Sequence, residues 1–204
     1  MGCSARNRFV FYSAKRPAEI LFREGDRHMK ALFISANGFD DAELLVPYYR
    51  FLEEGILVDI AAPKKDEPIK GKHGYEVAVT KTLSEVRPAE YDILVLPGGE
   101  APEAVQKEPT AIEIAQDFFR KDKLVAAICH GPQTLIAAGL LKGKHVTGSR
   151  LIIDKLTAAG AIYEYEEAVV DGNLVTSRNP SDLPAFMRET MKLIRKKTGH
   201  SKAA

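Results

Sequence analysis

Four short apolar runs, KALFISA (30–36), ILVDIAA (56–62), DILVLPGG (92–99) and KLVAAIC (123–129), recur along this chain with helix-like segments between them. They are continuously apolar rather than alternating, the pattern of strands covered on both faces, and such strands belong to parallel sheets joined by crossover helices. The intervening segments fit that role. A helix is expected from Ala42 to about Glu54, and PTAIEIAQDFFRKD (109–122) places Ile112, Ala115, Phe118 and Phe119 at helical spacing. Further helices are expected from Gly131 to Gly139 and over 150–160, closed by Gly139 and Gly160. This alternation predicts an α/β fold with a mostly parallel central sheet.

Smaller elements decorate the pattern. Tyr75, Val77 and Val79 alternate within 69–80, which predicts a small hairpin at the edge of the main sheet. The sheet is expected to return briefly around HVTGS (145–149), and Asp171-Gly172 is a two-residue hairpin signal between Val-rich arms. The last helix starts at Asn179 as N-cap with Pro180 in its first position, and ends in Lys and Arg.

The regular pattern begins near Met29, so residues 1–28 read as an extension, 29–197 as one domain and 198–204 as a tail. A chain of 204 residues that is 45% hydrophobic can bury a sizeable core. With 29 basic and 28 acidic residues it has no surplus of the kind that binds nucleic acid, and a small or neutral substrate is expected instead. Two cysteines, Cys3 and Cys129, are too few for a disulfide framework, which fits a reducing cytoplasm. No apolar stretch is long enough to span a bilayer, and MGCSAR has Arg6 where a myristoylation signal wants Ser or Thr.

Ligands of open parallel sheets collect at the carboxyl ends of the strands, and three loops there carry chemistry. AAICHGP (126–132) has a buried strand, a reactive residue and then a helix, with small Ala127 and Gly131 flanking Cys129, which is the spacing of a nucleophile elbow. Cys129 is thus either a nucleophile, its thiolate favoured by the helix N-terminus, or a small buried apolar residue. His130 beside it is either a partner or a structural cap. LPGGEAPE (96–103) is either an ordinary turn or a loop whose Gly98 and Gly99 amides, helped by that of His130, hold a developing oxyanion. In NGFDDAELLVP (37–47), Asp40 and Asp41 complement the helix dipole, whereas Glu43 lies inside the first turn, within reach of a neighbouring loop, as a proton shuttle or hydrogen-bond donor. No histidine or cysteine spacing suits a metal site, and no phosphate-binding or dinucleotide motif occurs. His73 reads as a hairpin residue.

Together ANGFDDAEL, GKHGYEV, LVLPGGEAPE, AAICHGPQTLIAAG and VVDGNLVTSRNPSDLPAF resemble the PfpI-type intracellular proteases, in the superfamily of the parkinsonism-associated deglycase. The resemblance runs from Met29 to about Arg195. It implies a flavodoxin-like three-layer sandwich, built into dimers and sometimes hexamers, with Cys129 as nucleophile and Glu43 as the glutamate touching it. It implies Gly98 and Gly99 on the oxyanion side, and a pairing of His130 with a glutamate of a neighbouring subunit at the position matching Glu103. Asp40 falls where some relatives have glutamate, and Ser149 where some hexameric relatives have tyrosine.

The activities so implied need no cofactor and no metal. They are conversion of reactive dicarbonyls or their protein adducts, hydrolysis of peptides, or redox sensing and holdase function through an oxidised Cys129. The first is the leading expectation, with small dicarbonyls or glycated proteins as partners.

Overall fold

The computed structural model describes residues 10–11, 28–65 and 67–198. What the sequence implies about Cys3, the rest of the extension and residues 199–204 lies outside these. In chain order the elements are β1 (Val10–Phe11), β2 (Lys30–Ile34), α1 (Asp41–Glu53), β3 (Leu57–Ala62), β4 (Ile69–Lys70), β5 (Glu76–Val77), β6 (Lys81–Thr82) and β7 (Ile93–Leu96). They continue with α2 (Ala101–Val105), α3 (Pro109–Arg120), β8 (Leu124–Ile128), α4 (Pro132–Ala137), β9 (His145–Val146) and α5 (Ile153–Ala158). The chain ends with β10 (Ile162–Tyr163), β11 (Ala168–Asp171), β12 (Leu174–Ser177) and α6 (Leu183–Thr198).

Seven strands form the central sheet in the order β11-β12-β8-β7-β2-β3-β6, and only β11 runs antiparallel to its neighbour. The four apolar runs are four of its five inner strands, β12 being the fifth. Ala31 to Ile34, Ile93 to Leu96 and Leu124 to Ile128 are at most 1% exposed, as a sheet covered on both faces requires. Helices α1 and α6 pack on one face and α2 to α5 on the other. The chain moves outward from β2 through β3 to β6, then returns to the other side of β2 as β7. That reversal opens a crevice at the carboxyl ends of β2 and β7.

Helix α1 shows how local chemistry sets the frame. Asp40 caps it, its Oδ1 accepting from the N–H groups of Ala42 (3.1 Å) and Glu43 (3.3 Å). Leu44, Pro47 and Phe51 fall on its buried face, and Phe51 meets Phe33 of β2 edge to face at 5.9 Å. Gly55, at φ +71°, ends it: Gly55 N–H donates to Leu52 O and Ile56 N–H to Phe51 O, the paired bonds of a Schellman turn.

Several expectations are corrected. The 69–77 hairpin forms, but β4 and β5 pair in a separate small sheet with β1, and the edge of the main sheet is β6. Strand β9 likewise leaves the main sheet and pairs with β10. In the β11–β12 hairpin Asp171 is still paired with Leu174, so the two-residue turn is Gly172-Asn173, one residue later than the sequence signal. The buried face of α3 is Ala111, Ile114, Ala115 and Phe118, while Ile112 and Phe119 sit at its margins. The segment 150–160 starts as a 3₁₀ turn before becoming α5, and α6 is likewise preceded by a 3₁₀ turn capped by Asn179. Among the described residues no helix is long and apolar enough to cross a membrane.

Candidate active site

Cys129 follows β8 directly and has φ +60°, a left-handed conformation that a residue with a Cβ adopts only under constraint, at a cost of about 1–3 kcal/mol. The constraint is visible on both sides of the peptide. Cys129 N–H donates to Ser177 O at 2.9 Å, extending the β8–β12 ladder, and Cys129 O accepts from Ser149 N–H at 2.9 Å. Gly131 then passes so close to β7 that a Cβ there would lie 2.0 Å from Leu96 O. The chain turns into α4 at once, and the thiol stands half-buried at the crevice rather than sealed in the core.

Glu43 faces it from α1, 0% exposed. Its Oε2 accepts from Gly98 N–H at 2.9 Å, while Oε1 is buried with no hydrogen-bond partner among the described residues. Gly98 has no room for a side chain: a Cβ would lie 2.5 Å from Glu43 Oε2 and 2.6 Å from the Cys129 Cβ. This revises the expected oxyanion pair. The Gly98 N–H is committed to the carboxyl group, and the backbone N–H groups of Gly99 and His130 are those that donate toward the sulfur.

The ionisation of the pair also departs from expectation. Burial, followed by the Asp40 carboxylate, pushes Glu43 up to about 8. Burial, followed by the Glu43 charge, pushes the Cys129 thiol up to about 12 against the opposing pull of the Gly99 amide. The expected lowering by the helix N-terminus is overruled because α4 has only six residues, while the carboxylate and the dry surroundings act at short range. Each negative charge disfavours the other, so the pair releases one proton long before the second. The singly protonated pair carries the charge either on Glu43 or on the sulfur, and only the second arrangement has a thiolate with an acid beside it.

His130 Nδ1 lies 3.2 Å from Cys129 Sγ. Partial burial holds the imidazole below its usual range, Glu103 opposing this and Lys155 and Lys72 adding to it, so the ring is neutral and can accept or relay a proton. Glu103 is exposed on α2, and within one chain no hydrogen bond or ion pair among the described residues joins it to His130. Ser149 caps the 3₁₀ turn before α5, its Oγ accepting from Leu151 N–H at 3.3 Å. Among the described residues no three His, Cys, Asp or Glu side chains gather as metal ligands.

One group was not singled out from sequence. Lys72, in GKHGY, pairs with Asp40 Oδ2 at 2.6 Å and brings a positive charge to the margin of the crevice. The only sequence signal was a basic residue in a hairpin, which surface hairpins commonly carry.

A model of the family described as DJ-1/PfpI matches residues 29–193. The chain belongs to the DJ-1/PfpI family. The protein named deglycase PfpI from Pyrococcus furiosus is 53% identical over 167 residues, covering 82% of this chain and 100% of the relative. The protein named putative cysteine protease YraA from Bacillus subtilis is 40% identical over 169 residues, covering 81% and 98%. A two-domain protein of Anabaena variabilis, containing DJ-1/ThiJ/PfpI-like and ferritin-like domains, superposes with a TM-score of 0.80 at 36% identity. It covers 81% of this chain, which spans 48% of that longer one. The sandwich described above is the flavodoxin-like α/β fold of the family, with the crevice where its parallel strands end.

A DJ-1/PfpI site arranged in this way can present a sulfur nucleophile, a carboxyl group able to exchange its proton and two amides aimed at the same point. Those are the parts needed to attack a carbonyl and hold the oxygen that becomes charged.

Proposed function

We propose that this protein is a cysteine-dependent, cofactor-free deglycase that acts in the cytoplasm on reactive dicarbonyls or on their adducts with proteins. The observation that carries it is the buried Glu43 carboxyl facing Cys129 at the elbow, in a chain 53% identical to a protein named a deglycase. With methylglyoxal, the thiolate forms a C–S bond to the aldehyde carbon, and the carbonyl electron pair moves to oxygen beside the Gly99 and His130 amides and takes a proton. Glu43 then removes the proton on that carbon, and a proton is returned to the neighbouring ketone carbon. The first carbon is thereby oxidised to a thioester and the second reduced to an alcohol. Water cleaves the thioester, giving lactate and restoring the thiol. In an adduct on Lys, Arg or Cys the former aldehyde carbon holds the protein's nitrogen or sulfur. That bond breaks as the carbinol oxygen loses its proton and the carbonyl re-forms, the side chain leaves with a proton, and the thiolate then adds to the freed aldehyde carbon.

The protein incubated with methylglyoxal is expected to release lactate, and protein alkylated beforehand at Cys129 with iodoacetamide to release none. Because the reactive arrangement requires the pair to have lost one proton, kcat/KM is expected to rise as pH increases through about 8. Lactate formation unaffected by alkylation would refute the scheme.

The His130 contact favours a second reading, a cysteine peptidase, and a relative carries a protease name. An amide resists attack more than an aldehyde and its leaving amine must be protonated, so this reading needs His130 charged. In a dimer or hexamer, a neighbour's Glu103 set against His130 would supply the missing anion. It is tested by cleavage of fluorogenic peptides alongside sedimentation: full peptide hydrolysis by a Glu103→Gln variant would rule that arrangement out.

A further inference from the structure

Asp41 does more than complement the dipole of α1. Its carboxylate, 5% exposed, reaches into the β4–β5 hairpin and accepts from His73 N–H (2.8 Å) and Tyr75 N–H (3.0 Å), with His73 Nδ1 at 3.1 Å. Gly71 makes room for it: a Cβ there would lie 2.5 Å from Asp41 Oδ1. The same hairpin is joined to the loop after β2 by Gly38 N–H to Lys70 O (2.7 Å), Lys72 N–H to Phe39 O (2.9 Å) and Lys70 N–H to Asn37 Oδ1 (2.8 Å). The backbone of Lys72 is therefore fixed, and its ammonium meets Asp40 Oδ2 while Asp40 Oδ1 caps the helix beside Glu43.

We propose that this hairpin is a working part of the active site: Asp41 latches it to α1 so that Lys72 neutralises Asp40 beside the Cys129–Glu43 pair and thereby favours the thiolate. Lys72 is thus a positioning residue, acting on the sulfur through charge rather than touching substrate. The inference rests on Cys129 being the nucleophile.

The charged and titratable groups around the sulfur support this assignment. Glu43 and Asp40 come from α1 and its cap, His130 from the elbow, Glu103 from α2, Lys155 from α5 and Lys72 from the hairpin. Asp40 raises Glu43, and Lys72 opposes that directly while also paired with Asp40. Without Lys72, the uncompensated Asp40 charge would sit next to two groups that must together carry one negative charge. Asp40 is buried while Lys72 is largely exposed, so loss of Lys72 leaves a buried carboxylate without its partner, and a thermal melt of each variant beside the titration separates loss of stability from the change in ionisation.

The test measures the pH dependence of Cys129 alkylation by iodoacetamide in the full chain, with peptide mass spectrometry separating Cys129 from Cys3. For Lys72→Met the profile is expected to move about half a pH unit upward, slowing alkylation roughly threefold near neutrality, and Lys72→Arg should follow the wild type. Asp41→Ala should reproduce the shift, and the double variant should add nothing to either single change, because latch and charge act as one unit. A Lys72→Met profile superimposed on the wild type, or a shift just as large in Lys72→Arg, would overturn the assignment. An Asp41→Ala profile like the wild type would overturn the latch. Alkylation needs no substrate, so these outcomes stay readable even if methylglyoxal proves not to be turned over.

Discussion

Replacing Glu43 with glutamine is expected to make Cys129 more reactive toward iodoacetamide and, at the same time, to slow turnover of methylglyoxal by about a hundredfold to ten-thousandfold. The two effects separate because Glu43 has two roles. Its charge is the second largest influence holding the thiol up, after burial, so a neutral amide of the same shape lets the sulfur ionise at lower pH. The gain appears where wild-type Glu43 is ionised, above about pH 8, and there a fall of one unit gives about a tenfold gain in thiolate, whereas below it the protonated carboxyl and the amide carry the same charge. The amide oxygen can still accept from Gly98 N–H, so the loop keeps its place. What the amide cannot do is carry the proton between the two carbons of the bound dicarbonyl, and general acid–base catalysis is lost. Cys129→Ala should abolish both alkylation at this position and turnover, fixing the baseline. The measurement pairs an alkylation time course with lactate release for each variant. A glutamine variant that turned over at the wild-type rate would remove Glu43 from the proton path, and one alkylated more slowly would reverse the sign of its charge effect.

That division of roles marks where sequence stops being readable. The inner strands could be read because burial on both faces leaves uninterrupted apolar runs, and the start of α1 because acids gather where its dipole favours them, whereas the cap made by Asp40 and the stop made by Gly55 emerge only from the structure. The elbow was legible for a similar reason: Gly131 is small because neighbouring backbone leaves no space, and Ala127 beside it is fully buried. The ionisation of Cys129 was not, because a helix start is written in the sequence next to the thiol whereas the opposing carboxylate comes from the first turn of α1, far earlier in the chain. The latch was hidden in the same way. Asp41 and His73 are 32 residues apart, and an acid at the start of a helix is fully explained by the dipole until the hairpin is seen to close over it. The hairpin itself was assigned to the wrong sheet because alternation specifies a strand's faces but not its neighbour.

Gly131→Ala should be strongly damaging, because it puts a methyl group where the site leaves it least room. The position has φ −49° and ψ −39°, ordinary helical values, so no conformational preference of glycine is at stake and the effect is steric. The new Cβ would fall 2.0 Å from Leu96 O and 2.9 Å from Ile128 O, both backbone atoms that no rotamer change can move. Relief requires the end of β7 to draw away from the elbow, and Leu96 leads directly into the loop that carries Gly98 and Gly99. Overpacking of this kind costs about 3 kcal/mol, and in a domain of this size each kcal/mol lowers Tm by about 2–4 °C. A loss of roughly 6–12 °C is therefore expected in a thermal melt, with lactate formation lost as the Gly99 amide shifts off the sulfur. Gly139→Ala provides the contrast: its Cβ would meet nothing within 4 Å, so only the strain of φ +70° remains, about 1 kcal/mol. If the two variants melted alike and Gly131→Ala kept its turnover, close approach of β7 could not be what holds the elbow, and the strained backbone at Cys129 would need another support.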